Sequence, residues 1–206
     1  MKGNTQIMVM SRVDQAGNYI LNRMRNELNN ELHYHNVTHV LDVLQAVEMI
    51  GKNENVSDKE LELLRIAVLF HDAGFIYGAE NHEKSSCEIA SEFLPGIGVT
   101  EQEIGIICNL IMATKVPQSP RSHLEKIICD ADLDYLGRDD FFTTGNNIFR
   151  EFQARNLVAN MRDWNELQVK FLTAHNYFTS TSIKLRNSKK EEHLQKIKQL
   201  LQEKMC

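Results

Sequence analysis

Residues 57–74, SDKELELLRIAVLFHDAG, constrain the fold more than any other stretch. Ser57 with Glu60 three positions later forms a capping-box pattern, which satisfies two otherwise orphaned amides at a helix start. The run Leu63-Leu64-Arg65-Ile66-Ala67-Val68-Leu69-Phe70 that follows is apolar nearly all round. Such a helix needs neighbours on every side, which places it at the centre of a domain. It runs into His71-Asp72 just before Gly74. A carboxylate at the end of a buried element is costly unless a partner neutralises it.

Helical periodicity supplies the neighbours. Val13 to Leu32 carries Val13, Ile20, Leu21, Met24 and Leu28 on one face, and Val37 to Ile50 places Val40, Leu41, Leu44 and Val47 on a stripe. Glu83 to Leu94 reads as a helix halted before Pro95, and Thr100 with Glu103 caps one running to about Thr114. Residues 116–120, with two prolines, form a loop. Ser122 with Glu125 caps a helix over Leu124 to Leu136, which Gly137 ends. Asp140 to Val158, Trp164 to Phe178 and Lys189 to Lys204 complete the series, and no stretch alternates convincingly enough for a strand.

The expected architecture is an all-α bundle over 1–206 as a single domain. Its motif-bearing core spans about 32–137 and is followed by a C-terminal helical extension over about 138–206. The last helix, rich in Lys, Glu and Gln, is expected to pack loosely or to mediate homo-oligomerisation.

With 206 residues the chain is long enough to bury a core. A net charge of -5 argues against broad electrostatic binding to nucleic acid or anionic lipid, while leaving room for a local basic pocket. Met1 to Met10 is too short and polar for a signal peptide, and no apolar run approaches a membrane span, so a cytoplasmic location is the default expectation. Cys87, Cys108, Cys129 and Cys206 form no CxxC pair, which fits buried thiols better than a zinc knuckle.

The His71-Asp72 corner is explained by a divalent metal ion, which accepts imidazole nitrogen and carboxylate oxygen and cancels the buried charge. Further ligands must come from helices able to face it: His39 beside the apolar stripe of its helix, and Asp132 flanked by Ile127, Ile128 and Leu133. Two histidines and two carboxylates leave positions open for water and a phosphate oxygen. Such an ion acidifies water and polarises a phosphoryl group. Mixed nitrogen and oxygen ligands admit Mn, Fe, Co, Ni, Zn or Mg.

His39, the His71-Asp72 pair and Asp132 within ICDADLDYLG resemble, in order and context, the H…HD…D pattern of the HD-domain superfamily. LFHDAGF has that family's apolar lead-in and following glycine, and His82-Glu83-Lys84-Ser85-Ser86 is similar to a His-Glu-x-Ser segment of many members. The resemblance implies a helical bundle with a mono- or dinuclear metal centre that hydrolyses phosphomonoesters, phosphodiesters or nucleotides. It also selects Asp132 over Asp130, because Ala-Asp-Leu resembles the ligand context of HD-type cyclic nucleotide phosphodiesterases. Tyr34-His35-Asn36-Val37-Thr38-His39 is similar to their Tyr-His-Asn-x-x-His motif, which implies His35 as the acid that protonates the leaving oxygen. His82, Glu83 and Asp130 are candidates for a second metal or for supporting the first. Some members of that family carry a histidine where this chain has Met112-Ala113-Thr114-Lys115, so the resemblance implies one ion, or a second held weakly through His82, Asp72 and water.

Simpler readings stand beside these. A single histidine near a carboxylate is more often a structural hydrogen bond; the four-residue set is what favours metal, with Asp72 central to catalysis. Glu83 is equally suited to capping a helix. Lys115, Arg121, Arg138 and Arg186 are candidate phosphate binders, though any one is more often simply solvated. His33, His123 and His193 read as surface residues, His175 as a satisfied core histidine, and Lys184 to Asn187 as a link between helices. The leading expectation is a metal-dependent phosphohydrolase acting on a small phosphorylated molecule, foremost a nucleotide or cyclic nucleotide. The alternatives are a non-catalytic sensor binding metal and nucleotide, and a structural polar network.

Overall fold

The computed structural model describes residues 10–203. The signal-peptide reading rests mainly on residues 1–9, outside that range, as do Lys204 and Cys206. Among the described residues there are nine α-helices and no strand: α1 (Arg12–Glu27), α2 (Val37–Asn53), α3 (Asp58–Phe70), α4 (His82–Phe93), α5 (Glu101–Ala113), α6 (His123–Asp132), α7 (Phe141–Ala154), α8 (Met161–Ala174) and α9 (Ser180–Glu203). Short 3₁₀ turns cover Ala73–Ile76, Leu94–Ile97 and Asp134–Gly137. None of these helices is long and apolar enough to cross a membrane.

The all-round apolar segment is the hub. Leu63, Leu64 and every residue from Ile66 to Phe70 are buried, and α3 packs against α1, α2, α4, α5 and α6. The capping boxes at Ser57 and Thr100 form as their spacing predicts, each hydroxyl accepting from the amide three residues on while the glutamate accepts from the cap amide. Ser122 caps only one way: its hydroxyl accepts the Glu125 amide at 3.2 Å, but the Glu125 carboxylate takes the Arg121 amide instead.

Two core clusters share the molecule. One joins Ala16 to Ala131 across α1–α6; the other joins Leu133 to Ile197 across the third 3₁₀ turn and α7–α9. They meet at Asp132, where α6 stops short of the expected Leu136 and the chain turns into Asp134–Gly137.

The second cluster brings the main corrections. Helix α9 begins at Ser180, nine residues before the expected Lys189, so Lys184 to Asn187 are helical and not a link. Its start is held by distant carboxylates: Asp130 accepts the Phe178 and Thr179 amides at 2.9 and 2.8 Å, and Glu54 accepts the Thr181 amide at 2.8 Å. No local pattern announces such caps. Nor does α9 pack loosely. Leu194, Ile197, Lys190 and His193 are buried, the Lys190 ammonium donates to the His175 carbonyl at 2.6 Å, and Arg186 forks onto Asp134. His193, expected at the surface, bonds through Nδ1 to the Leu136 carbonyl and stacks on Phe141. His175, expected to be satisfied, has no hydrogen-bond partner at either ring nitrogen; burial and nearby Lys190 push it down to about 4, which keeps the ring neutral.

Candidate metal centre and adjoining cavity

Three local devices aim the side chains. On α2, Asn36 caps the helix by accepting the Thr38 amide at 2.8 Å, which sets His39 in the first turn facing inward. On α3, His71 closes the buried helix and hydrogen-bonds through Nδ1 to the Val68 carbonyl at 2.8 Å. With that nitrogen carrying the proton, Nε2 presents its lone pair to the site. At α6, the helix end leaves the Asp132 carboxylate projecting back toward both histidines.

The bend after Asp72 is pinned on α4. Ser86 Oγ accepts the Gly74 amide at 2.8 Å and donates to the His71 carbonyl at 2.7 Å. Gly74 permits this approach, since a β-carbon there would lie 2.0 Å from the His82 carbonyl oxygen. The Ser86 of the His-Glu-Lys-Ser-Ser segment thus holds the corner in place.

The result is a tight cluster. His39 Nε2 and His71 Nε2 are 3.3 Å apart. Asp72 Oδ2 lies 3.4 Å from each, and Asp132 Oδ1 lies 3.3 Å from His39 Nε2 and 3.5 Å from His71 Nε2. One donor atom each from His39, His71 and Asp72 falls within 4.8 Å of the others, close enough to share an ion. Asp72 Oδ2 is buried with no hydrogen-bond donor. Two imidazole nitrogens facing each other between carboxylates require a positive charge. Without a metal the cluster draws one from a proton: burial opposes it, but Asp72 and Asp132 outweigh burial and raise His71 to about 9. Burial would likewise raise both aspartates, yet the histidines hold them below their ordinary range. A divalent ion fits the same donors and fills the same electrostatic need. HD domains bind such ions, and this donor set suits one.

His35 stands beside this cluster. Its Nδ1 pairs with the Glu151 carboxylate of α7, whose Oε2 also accepts the Tyr34 and His35 amides at 3.0 and 3.1 Å. Burial disfavours the charged ring, but Glu151 together with Asp72 and Asp132 outweighs it and His35 is raised, while Glu151 is lowered. Phe75 is sandwiched between His35 and His82, with ring centroids 4.3 and 4.2 Å away. Sequence reasoning missed Glu151, Phe75 and Ser86. Only Ser86 carried a signal, by its place in a quoted segment; Glu151 is 116 residues from His35 and looks like any helical glutamate.

His82 Nε2 lies 3.5 Å from Asp72 Oδ1 and 3.6 Å from Glu83, which is itself buried. Asp130 is not part of the site. It points away from Asp132 and is consumed by the start of α9, as the rotation between residues two apart on a helix requires. Of the four cations considered for phosphate, Lys115 lines the cavity beside the cluster. Arg138 is bound to Asp42 and Asp140, Arg186 to Asp134, and Arg121 is exposed outside the lining.

That cavity, about 510 Å³, opens from the cluster at His35, Asp72, His82 and Asp132 and extends between side chains of α7 and α8. Its far end is apolar and aromatic, with Phe141, Phe152, Trp164 and Phe171 among its walls.

Comparison with known proteins agrees with this architecture. Residues 36–134 match the family model of the HD domain. A crystal structure described as a predicted HD superfamily hydrolase, from an uncultured Thermotogales bacterium, superposes with a TM-score of 0.60 at 21% identity, covering 90% of this chain and 91% of its own. At that identity the likeness establishes the fold. An uncharacterized protein of Clostridium beijerinckii is 36% identical over 76 residues, a match covering 35% of this chain and 48% of that relative. The matched segment contains His39, His71, Asp72 and Asp132 in family order on the helices that bring them together, and it identifies residues 36–134 as an HD domain.

Proposed function

We propose that this chain is a metal-dependent phosphohydrolase of small phosphate esters, with His39, His71, Asp72 and Asp132 holding one divalent ion. The observation that carries the reading is the pair of facing Nε2 atoms with the donor-less Asp72 Oδ2 between carboxylates. An ion bound there supplies Lewis acidity to a phosphoryl oxygen and to water. The protein's own groups do the rest. Lys115, at the cavity wall, meets the charge of the phosphate. His35 keeps its Nδ1 on Glu151, so its Nε2 proton is the one available for the leaving oxygen. His82, with Glu83 beside it, orients Asp72 through its second oxygen.

Nucleotides are the leading substrate class. Supporting them are the flat aromatic walls, on which a base stacks, and the Gln168 amide, a hydrogen-bonding group at its edge.

Metal analysis paired with turnover tests the reading. Wild-type protein is expected to hold about one divalent ion and to complete many turnovers on a panel of nucleotides, cyclic nucleotides and simple phosphomonoesters. Asp72→Ala is expected to lose both. Wild-type turnover in metal-free Asp72→Ala protein would defeat it, and ligand binding without turnover would make the site a sensor.

A further inference from the structure

We infer that this site selects its substrate through a flat apolar ring on the leaving group, seated between α7 and α8, and gives little recognition to sugar hydroxyls. The inference rests on the hydrolase reading for the phosphate end alone; the ring compartment is a separate part of the same cavity.

The lining divides by chemistry. Every charged cavity residue comes from the half that carries the cluster: His35, Asp72, His82, Glu83, Lys115 and Asp132. Beyond Tyr135 the walls are Phe141, Ile148, Phe152, Trp164, Phe171 and their aliphatic neighbours, with Gln168 the single amide. A ribose or hexose pressed there would strand its hydroxyls without partners, a desolvation cost that rejects it. A flat ring would instead gain apolar burial and edge or face contacts with the aromatic side chains. Trp164 is about 94% buried by its own 6% exposure and stands 5.6 Å from Phe152, edge to face. The polar side-chain groups on that surface are the Gln168 amide and the Trp164 indole N–H. The volume, about 510 Å³, holds a phosphate together with a one- or two-ring body. A purine nucleotide therefore fits by its base, and so does an aryl or benzyl phosphate that has no sugar.

Trp164 is the chain's one tryptophan, so its fluorescence reports on the compartment. The metal-loaded protein is titrated with benzylphosphonate, methylphosphonate and 2,3-dihydroxypropylphosphonate, which share the phosphonate and differ in the body; calorimetry checks each constant. Benzylphosphonate is expected to bind about tenfold or more tighter than either of the others, with a Trp164 change that they do not give. Leu167→Asp provides a variant with little risk to folding, since Leu167 lines the cavity and is 39% exposed. It is expected to erase most of the benzyl advantage while leaving methylphosphonate binding within about twofold. Equal binding of the three phosphonates, a preference for the dihydroxypropyl compound, or an undiminished benzyl advantage in Leu167→Asp each overturns the ring compartment. Ring-selective binding without turnover of any ester would leave the compartment standing and remove the hydrolase reading.

Discussion

The two halves of this molecule place their functional groups by opposite means. In α1–α6 three of the candidate ligands are aimed by groups near them in the chain: His39 by the Asn36 cap, His71 by the Val68 carbonyl, and Asp72 by the Ser86 clasp on its bend. In the half built from residues 133–203, the same work is done at long range. Glu151 reaches the amides of Tyr34 and His35, and Asp130 and Glu54 start α9. The first half is a filled core that fixes a cluster. The second lends side chains of α7 and α8 to the cavity that opens from that cluster.

Two glycines make the contrast measurable. A β-carbon at Gly74 would meet the His82 carbonyl oxygen at 2.0 Å, and one at Gly137 would meet the Arg186 carbonyl oxygen at 2.4 Å. Both contacts are with backbone, so neither neighbour can swing aside. Each Ala substitution is expected to cost about 2–4 kcal/mol in denaturant unfolding. Their functional effects should part. Gly74→Ala displaces the His71-Asp72 corner and is expected to weaken metal retention strongly, whereas Gly137→Ala loosens the seat of α9 and leaves metal content near wild type. Equal metal loss in both would show that the cluster depends on the whole molecule and not on its own half.

The same division explains what was legible in the sequence. The helices of the first half announce themselves through capping boxes and an apolar centre, and the four candidate ligands are legible as a group because they sit in locally patterned motifs, which the structure brings to one cluster. α9 was read nine residues short because the carboxylates that start it lie far away in the chain. His193 looked like surface because its neighbours in sequence are Lys, Glu and Gln; the partner that buries it, Phe141, comes from α7. A resemblance alone separates Asp132 from Asp130 in the sequence, and the structure gives the physical reason: one faces the cluster, the other the Phe178 and Thr179 amides.

Glu151 is where the second half touches the chemistry, and Glu151→Gln sharpens the comparison. The carboxylate favours protonated His35, so its removal should lower the His35 pKa and move the alkaline limb of the rate profile to lower pH. A fall in kcat of about 10²-fold is expected, with metal content unchanged. Linkage fixes the stability sign as well. His35 is raised from 6.5, so its contribution is full below that pH and is lost as pH climbs through the folded value. Glu151 is lowered from 4.5, so its contribution is full above that pH and is lost as acid reaches the folded value. The pair therefore stabilises most between 4.5 and 6.5, and the wild-type advantage over Glu151→Gln should peak there in thermal melts. A pH-independent difference, with an unmoved rate profile, would reduce Glu151 to a backbone cap for residues 34 and 35.

The smallest expected effects come from the arginines, where the halves differ only in how a cation is used. Arg121 offers its backbone amide to Glu125 while its side chain is exposed outside the cavity. Arg121→Ala should leave kcat/KM within about twofold and unfolding within about 0.5 kcal/mol. Arg186 is forked onto buried Asp134, with bonds of 2.7 and 3.1 Å. Its loss leaves that carboxylate facing only the more distant Arg138, at 3.6 Å, so Arg186→Ala should destabilise by about 1–3 kcal/mol. Because the guanidinium is committed to Asp134 and does not line the cavity, KM should barely move. A large rise in KM for Arg186→Ala at a temperature where the variant remains folded would mean that α9 contributes a phosphate contact after all, and that the second half recognises both ends of the substrate.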